Sequence, residues 1–183
     1  MGADYHKVQV LVHALLEALG EDRDREGLVK TPLRVARFWQ EFLEYDPGNV
    51  ETQFESIETD QMVIVKGIAG WSMCEHHLLP FSFVAHVGYI TGDRVIGLSK
   101  IPRIVQKHAH ALQLQERLTA QIADELERIA KPRGIGVLIE GVHTCVVMRG
   151  IRSPGVTMTT SCMRGIMLGN PYAKDEFLRL VLR

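Results

Sequence analysis

The hydrophobic residues of this chain follow two different periods, and the order in which these periods alternate restricts the fold more than any other feature. From Tyr5 to Leu19 the apolar residues recur at helical spacing, and Gly20 ends the run. The middle of the chain carries the apolar runs "QMVIVKG" and "FSFVAHVGYI", which are typical of strands. Because blocks of helices alternate with blocks of strands, the sequence predicts the α+β class with a mostly antiparallel sheet.

The remaining segments continue this order. Thr31 followed by Pro32 predicts the N-cap and the first turn of a helix through "LRVARFWQEFLEY". "DPGN" predicts a turn, and "TGD" predicts a hairpin that joins "FSFVAHVGYI" to a strand at "RVIGL". Ser99 predicts the start of a helix through "KIPRIVQKHAH", and another helix is expected from about Gln115 to Ala130. Strands are expected at "GVLIEGVHTCVVMRG" and "GVTMTT", and a last helix at "KDEFLRLVLR".

Composition excludes several classes of protein. Hydrophobic residues make up 46% and charged residues 23% of the 183 residues, which is ordinary for a globular domain. The net charge is -1, so we expect neither a nucleic-acid partner nor a membrane partner. The first residues show no secretory signal, and no apolar run approaches the roughly 20 residues that span a bilayer. Three cysteines in such a chain predict a reducing compartment, and we expect a cytoplasmic enzyme.

Two short segments carry residues that bind metals. In "WSMCEHHLLPF", Cys74 and His77 have the C-x-x-H spacing, which alone fits a buried cysteine beside a surface histidine equally well. The second segment, "EGVHTCVVMRG", is expected to be a strand, in which side chains alternate between the two faces. His143, Cys145 and Arg149 would then share one face, an arrangement that a purely structural strand does not require.

Together the two segments offer a Cys/His/Cys set, which suits zinc. Three protein ligands leave a fourth position open to water, as in catalytic sites, whereas a structural site would add a fourth protein ligand. That alternative remains open, because His143 and either His76 or His77 could complete a site with Cys74 and Cys145. A disulfide between the two cysteines is disfavoured by the expected compartment. Cys162 is expected to be a packed small hydrophobic residue.

A third segment, "GLSKIPR", predicts an anion site. Ser99 at a helix start, with Lys100 and Arg103 nearby, offers backbone N–H groups, a hydroxyl and two cations to a phosphate. The alternative is a capped, solvated basic turn. Gln115 and Glu116 open the next helix, where a carboxylate is favourable to the helix dipole. The two common Gly-rich phosphate loops, G-x-x-x-x-G-K-[ST] and G-x-G-x-x-G, are both missing from the sequence.

Taken together, five segments resemble GTP cyclohydrolase I, a zinc enzyme of pterin synthesis. They are "CEHHLLPF", "GLSKIPRIV", "LQLQERLTAQIA", "VHTCVVMRGI" and "DEFL", in register from about Thr31 to the C-terminus. The resemblance implies a tunnelling fold, in which antiparallel sheets from several subunits close into a barrel with helices on the outer face. It also implies a homodecamer of two stacked pentamers with active sites at subunit interfaces. We therefore expect a single domain over residues 1–183, with a mainly helical N-terminal region (1–60) and a tunnelling-fold catalytic region (61–183).

The resemblance also implies roles for individual residues. Zn²⁺ is expected on Cys74, His77 and Cys145, with His76 and His143 as catalytic histidines that do not bind the metal. The substrate-binding residues are expected to be Ser99, Lys100, Arg103 and Arg149 for the triphosphate, Gln115 and Glu116 for guanine, and Arg34 and Arg37 as further triphosphate candidates. The implied reaction converts GTP into 7,8-dihydroneopterin triphosphate and formate, the first step of tetrahydrofolate and pterin biosynthesis. His143 is expected to protonate the guanine ring as it opens.

Three alternatives remain beside this interpretation. A zinc-stabilised binding or assembly protein without turnover would show four protein ligands. A zinc deaminase would need P-C-x-x-C, which is missing from the sequence. A relative that kept the barrel but changed its chemistry is disfavoured by the Cys/His/Cys set. The segment "QKHAHALQLQ", with His108 and His110, departs from the family pattern and is left without a predicted role.

Overall fold

The structure, a computed structural model, describes residues 3–56 and 61–182, and it divides the chain into two compact units. The first unit, Met1–Tyr45, contains the helices α1 (Tyr5–Ala18) and α2 (Thr31–Leu43). Asp4 caps α1 by accepting a hydrogen bond from the backbone N–H of Lys7 at 2.9 Å. Both predicted helices are confirmed, and the expectation that the chain forms a single domain stays a prediction.

The predicted cap of the second helix is one residue out of place. The helix α2 begins at Thr31, and the N-cap position is held by Lys30, which makes no side-chain cap bond. The Thr31 hydroxyl instead donates back to the carbonyl of Gly27 at 3.5 Å. Pro32 lies in the first turn of the helix, where N–H groups have no partner within the helix, so the missing N–H group of proline costs no hydrogen bond.

The second unit, Asp46–Arg183, mixes strands and helices along the whole chain. Its first half contains β1 (Gln53–Glu55), β2 (Met62–Cys74), β3 (Leu79–Ile90), β4 (Arg94–Ile96), α3 (Lys100–Ala109) and β5 (Leu112–Gln113). Its second half contains α4 (Gln115–Ala130), β6 (Gly134–His143), α5 (Thr144–Val147), β7 (Met158–Gly165), α6 (Ile166–Gly169) and α7 (Pro171–Val181). The end of the predicted tail helix, Arg183, lies outside the described residues.

A five-stranded sheet in the order β5-β2-β3-β6-β7 forms the centre of this unit. All its neighbouring strands are antiparallel except the short β5, which runs parallel to β2. The predicted α+β class with a mostly antiparallel sheet is therefore confirmed. The strand predicted at "GVTMTT" lies further along the chain, at Met158–Gly165.

The predicted hairpin at "TGD" is wrong. The strand β4 pairs with β1 in a separate two-stranded sheet and not with β3. The reason is that β3 already pairs with β2 on one edge and with β6 on the other, which leaves no free edge for β4. The hairpin in this region is instead β2–β3, and its connection is the turn that follows Cys74.

Helices pack against both faces of the sheet. Buried residues of α3 and α4, among them Ile104, Leu118 and Ile122, form the main core with alternate residues of β3 and β6. A smaller core on the opposite face joins β6 to α6 and α7 through Leu138, Met167 and Phe177. Among the described residues, no helix combines the length and the hydropathy needed to cross a bilayer.

Phe177 anchors the last helix on the sheet, and replacing it is expected to destabilise the fold. The ring is fully buried and lies where Cβ atoms at Gly88 and Gly136 would come within 2.7 Å and 3.1 Å of it. Phe177→Ala should lower the free energy of unfolding by about 3–5 kcal/mol, because it leaves a cavity over two glycines. Chemical denaturation measures this loss.

Tyr172→Ala is the matched control, since this aromatic residue of the same helix is 84% exposed. It should change the free energy of unfolding by no more than about 0.5 kcal/mol. Equal losses in the two variants would show that α7 is not held by the Phe177 contact.

Candidate metal centre and adjoining pocket

The β2–β3 hairpin turn positions the first two candidate metal ligands. Cys74 is the last residue of β2, and its carbonyl accepts the backbone N–H of Leu78 at 2.9 Å. Leu78 has a positive φ of 53°, which lets the chain reverse within Glu75–Leu78. This tight turn brings Nδ1 of His77 to 3.9 Å from Sγ of Cys74.

The third residue, Cys145, lies on a helical turn, so the predicted strand through Arg149 is wrong beyond His143. The strand β6 ends at His143, and residues 144–147 form α5. The last pairs of this strand are Phe81 with His143 on β3 and Met158 with Gly141 on β7, so β6 has lost its β7 partner before it ends. The Thr144 hydroxyl then donates to the carbonyl of Pro80 at 2.6 Å and fixes the helical turn against β3.

The hairpin turn and α5 bring the three predicted metal ligands together. The ligand atoms of Cys74, His77 and Cys145 all lie within 4.8 Å of one another. Two thiols and an imidazole are a donor set that suits zinc, so the residues fit the metal that the resemblance implies. The cysteines are free, and no disulfide joins Cys74 to Cys145. Cys162 packs against the core, as predicted.

A pocket of about 200 Å³ adjoins this cluster. It brings together six of the predicted site residues, namely Cys74, His76, Gln115, Glu116, His143 and Cys145. The sequence did not identify its remaining lining residues, which are Gln113, Leu114, Gly141, Val146, Val156 and Met158. Most of these are apolar or glycine, and only their place in the fold distinguishes them from core residues.

Within the pocket, His143 is held from two sides. Its ring stacks on Phe81 with the centroids 4.4 Å apart, and its Nε2 lies 3.0 Å from Oε1 of Gln115. Burial lowers the pKa of His143, and the charge of Glu116 opposes this shift. Burial, together with the neighbouring Cys74, raises the pKa of the Cys145 thiol, so a bound metal would have to displace a proton there.

The predicted phosphate-binding residues lie in three places. Arg149 donates from Nη1 to Nε2 of His77 at 2.7 Å, directly beside the metal cluster. Ser99, Lys100 and Arg103 lie at the start of α3, and none of them is among the described residues that line the pocket. Arg103 donates to the carbonyl of Pro47 at 2.8 Å. Arg34 and Arg37 lie on α2 in the first unit.

The segment that was left without a role proves to be a structural contact between two helices. Glu125 of α4 is almost fully buried and accepts hydrogen bonds from Lys107, at 2.7 Å, and from His108 of α3. Burial alone would raise the pKa of Glu125, but these two partners lower it. Sequence reasoning missed this contact because its members lie on different helices.

Comparison with known protein families matches residues 8–182 to GTP cyclohydrolase I. The chain belongs to this family. It is 49% identical to GTP cyclohydrolase 1 of Mycobacterium tuberculosis (strain H37Rv), over 98% of this chain and 92% of that relative. It is 46% identical to GTP cyclohydrolase 1 of Aquifex aeolicus, over 99% of this chain and 98% of that relative. The predicted enzyme family is therefore confirmed.

A solved structure also resembles part of the chain. The archaeosine synthase QueF-Like in the apo form has a TM-score of 0.50 and covers 59% of this chain and 97% of its own. Its sequence identity is 18%, so the likeness concerns the fold alone.

The geometry of the cluster generates a test of metal binding. We expect the purified protein to bind about one divalent metal ion per chain. The variants Cys74→Ser, Cys145→Ser and His77→Ala should each lose this metal, because two protein ligands are too few to hold it. Elemental analysis of the purified variants measures the metal.

His76→Ala is the matched control, since His76 lines the pocket but is outside the group of three. It should keep most of its metal. Full metal content in both cysteine variants, or a loss at His76 rather than at His77, would contradict the assignment.

Proposed function

We propose that this protein catalyses the zinc-dependent hydrolysis and ring rearrangement of GTP to 7,8-dihydroneopterin triphosphate and formate. This reaction would be the first step of tetrahydrofolate and pterin biosynthesis. The observation that carries the proposal is the pocket beside the Cys/His/Cys cluster. This pocket is lined by an exposed carboxylate, Glu116, and by His143, whose ring is fixed by Gln115 and Phe81. Membership of the GTP cyclohydrolase I family supports it.

Zinc is the metal that we propose for Cys74, His77 and Cys145. When bound by three protein ligands, zinc supplies Lewis-acid activation of water near neutral pH. His143 is outside the group of three ligand atoms and is engaged by Gln115 and Phe81. This arrangement favours a catalytic site over a structural site with four protein ligands.

Glu116, with Gln115 before it, is proposed to form the guanine-recognition segment. The Glu116 side chain lies in the first turn of α4, lines the pocket and makes no hydrogen bond or ion pair with any residue in the described ranges. A free carboxylate can accept two parallel hydrogen bonds from N1–H and the 2-amino group of guanine. Adenine lacks this pair of donors, so the carboxylate would select guanine.

The two pocket histidines are proposed to handle protons. His143 would give a proton to the guanine ring as it opens, a role that suits an imidazole near neutral pH. His76 lines the same pocket without belonging to the metal group, which supports a role beside the metal rather than on it.

The triphosphate is proposed to lie against Ser99, Lys100, Arg103 and Arg149. The Lys100 ammonium makes no ion pair with the described part of the chain, and Ser99 makes no side-chain cap bond, so both can bind an anion. Ser99, Lys100 and Arg103 do not line the pocket of their own chain. We therefore infer that the complete site forms in a homo-oligomer. A decamer of two pentamers with the tunnelling fold, located in the cytoplasm, agrees with the family resemblance.

Turnover of GTP is the decisive experiment. We expect the zinc-loaded protein to release formate and a fluorescent pterin from GTP, and to turn over ATP about 10⁴-fold less efficiently, since a site built for a hydrogen-bonded group rejects analogues that lack it. Glu116→Ala should lose GTP turnover and keep its zinc. The assays are formate release, pterin fluorescence and elemental analysis.

Glu127→Ala is the control, because this exposed carboxylate of the same helix lies outside the pocket. It should behave as the wild type. If the wild type released no formate from GTP, the proposed function would fail. If Glu116→Ala kept wild-type kinetics, only the guanine role of Glu116 would fail.

The anion site has its own test. Lys100→Ala should raise the KM for GTP about 10-fold or more with little change in kcat, because a hydrogen bond to a charged group contributes about 1.5–3 kcal/mol. Guanosine should inhibit far more weakly than GTP. Lys174→Ala, which removes an exposed lysine of α7, is the control in steady-state kinetics. Equal affinity for guanosine and GTP would refute a phosphate role for this segment.

A further inference from the structure

Gln115 is a polar residue at the start of a helix, yet it is only 1% exposed. Its side-chain nitrogen lies 3.1 Å from the carbonyl of Ile139, 2.8 Å from the carbonyl of Met158 and 3.1 Å from the hydroxyl of Thr160. A buried amide is tolerated only when its polar atoms are hydrogen-bonded, and here the nitrogen is fully engaged by the sheet.

The partners of this amide determine its orientation. Backbone carbonyls can only accept hydrogen bonds, so the nitrogen of Gln115, not its oxygen, must face Ile139 and Met158. A flipped amide would place its oxygen against two other oxygens. The side-chain oxygen therefore points the other way, towards Nε2 of His143 at 3.0 Å.

A second set of hydrogen bonds supports the same orientation. The Thr119 hydroxyl lies 2.7 Å from the backbone carbonyl of Gln115, to which it can only donate. Its single proton is then used, so the Thr160 hydroxyl, 2.7 Å away, must donate to Thr119. The oxygen of Thr160 is consequently left to accept, and it can share one of the two N–H groups of the Gln115 amide with a carbonyl, which agrees with the orientation above.

The orientation of the amide decides which nitrogen of His143 carries a proton. An amide oxygen has no proton to give, so Nε2 of His143 must donate to it. A neutral imidazole has one N–H group, which is then on Nε2, and Nδ1 carries the lone pair. Among the described residues, Nδ1 of His143 has no hydrogen-bond partner.

The surrounding fold leaves space for this contact. A Cβ atom at residue 141 would lie 2.2 Å from the Gln115 oxygen, so only Gly141 permits the oxygen to reach its place. Phe81 stacks on the His143 ring with an interplanar angle of 9°, which fixes the plane of the ring while Gln115 fixes its rotation.

We propose that Gln115 is a positioning residue for His143. It holds the neutral ring as the tautomer protonated on Nε2, and it leaves Nδ1 as the nitrogen that meets the substrate. Nδ1 therefore first takes up a proton from solvent, and it is this proton that His143 gives to the guanine ring. The inference rests on the proposed function in so far as His143 acts on GTP. Within the guanine-recognition segment, Glu116 would thus face the base, and the Gln115 side chain would act through His143.

The tautomer can be measured directly, without turnover. Nitrogen-15 NMR of the zinc-loaded protein with labelled histidine, at a pH where His143 is neutral, should show a protonated Nε2 and an unprotonated Nδ1. The signal is assigned by its loss in His143→Ala. A neutral wild-type ring protonated on Nδ1 would overturn the inference, and this measurement needs no Gln115 variant to fold.

Variants test whether Gln115 is the cause. Gln115→Met keeps the length of the side chain but removes the acceptor, so the tautomer preference of His143 should be lost. Gln106→Met is the matched control, since Gln106 also donates to a backbone carbonyl, that of Ala69 at 2.9 Å, but lies outside the pocket. An unchanged His143 signal in Gln115→Met would contradict the inference.

Kinetics separate positioning from a general structural effect. Gln115→Met should lower kcat for GTP about 10–100-fold, as the loss of an orienting partner typically does, with KM and zinc content little changed. In the His143→Ala variant, adding Gln115→Met should not lower kcat any further, because Gln115 acts only through the His143 ring. Independent, multiplicative losses would refute the positioning role. A wild type that shows the expected tautomer but makes no formate would instead refute the proposed function.

Discussion

The antiparallel register of β2, β3 and β6 is the constraint on which the whole site depends. It pairs Cys74 with Leu79 across the hairpin and Phe81 with His143 across the next pair of strands. The hairpin turn and the end of β6 therefore lie at the same end of the sheet. A shift of one residue in either pairing would move the alternate side chains to the opposite face and separate the cysteines.

A buried polar network then gives the site its rigidity. The amide of Gln115 joins α4 to β6 and β7 through hydrogen bonds to Ile139, Met158 and Thr160. Each of these groups would be costly to bury without a partner, so the network tolerates few arrangements. The catalytic candidate His143 is attached to this network, and its orientation is set by the same contacts that hold the helix to the sheet.

The contact between α3 and α4 links the two helices whose first turns carry substrate-binding candidates. The buried carboxylate of Glu125 pairs with the ammonium of Lys107 and hydrogen-bonds to His108, and removing Lys107 would take away its closest cationic partner. The start of α3 carries Lys100, and the start of α4 carries Glu116. Glu125 thus contributes to the placing of both residues without itself lining the metal pocket.

The sequence by itself determined the class of the fold, the major helices and the candidate metal ligands. Periodicity is a local property, and Cys74 and His77 are close along the chain, so both could be recognised without tertiary information. The donor chemistry of the second segment offered Cys145 as a further ligand, and the resemblance of several segments to one family selected that set of three and assigned roles to Glu116 and His143.

Only the tertiary structure decided how these residues meet. The pairing of β4 with β1 depends on β3 having no free edge, and the last pairs of β6 lie at Gly141 with β7 and at His143 with β3. The inward orientation of Gln115 depends on carbonyls that come from β6 and from the segment at Met158. Hydrogen bonds between distant segments produce no periodic pattern in a sequence, because tertiary packing decides which segments become neighbours.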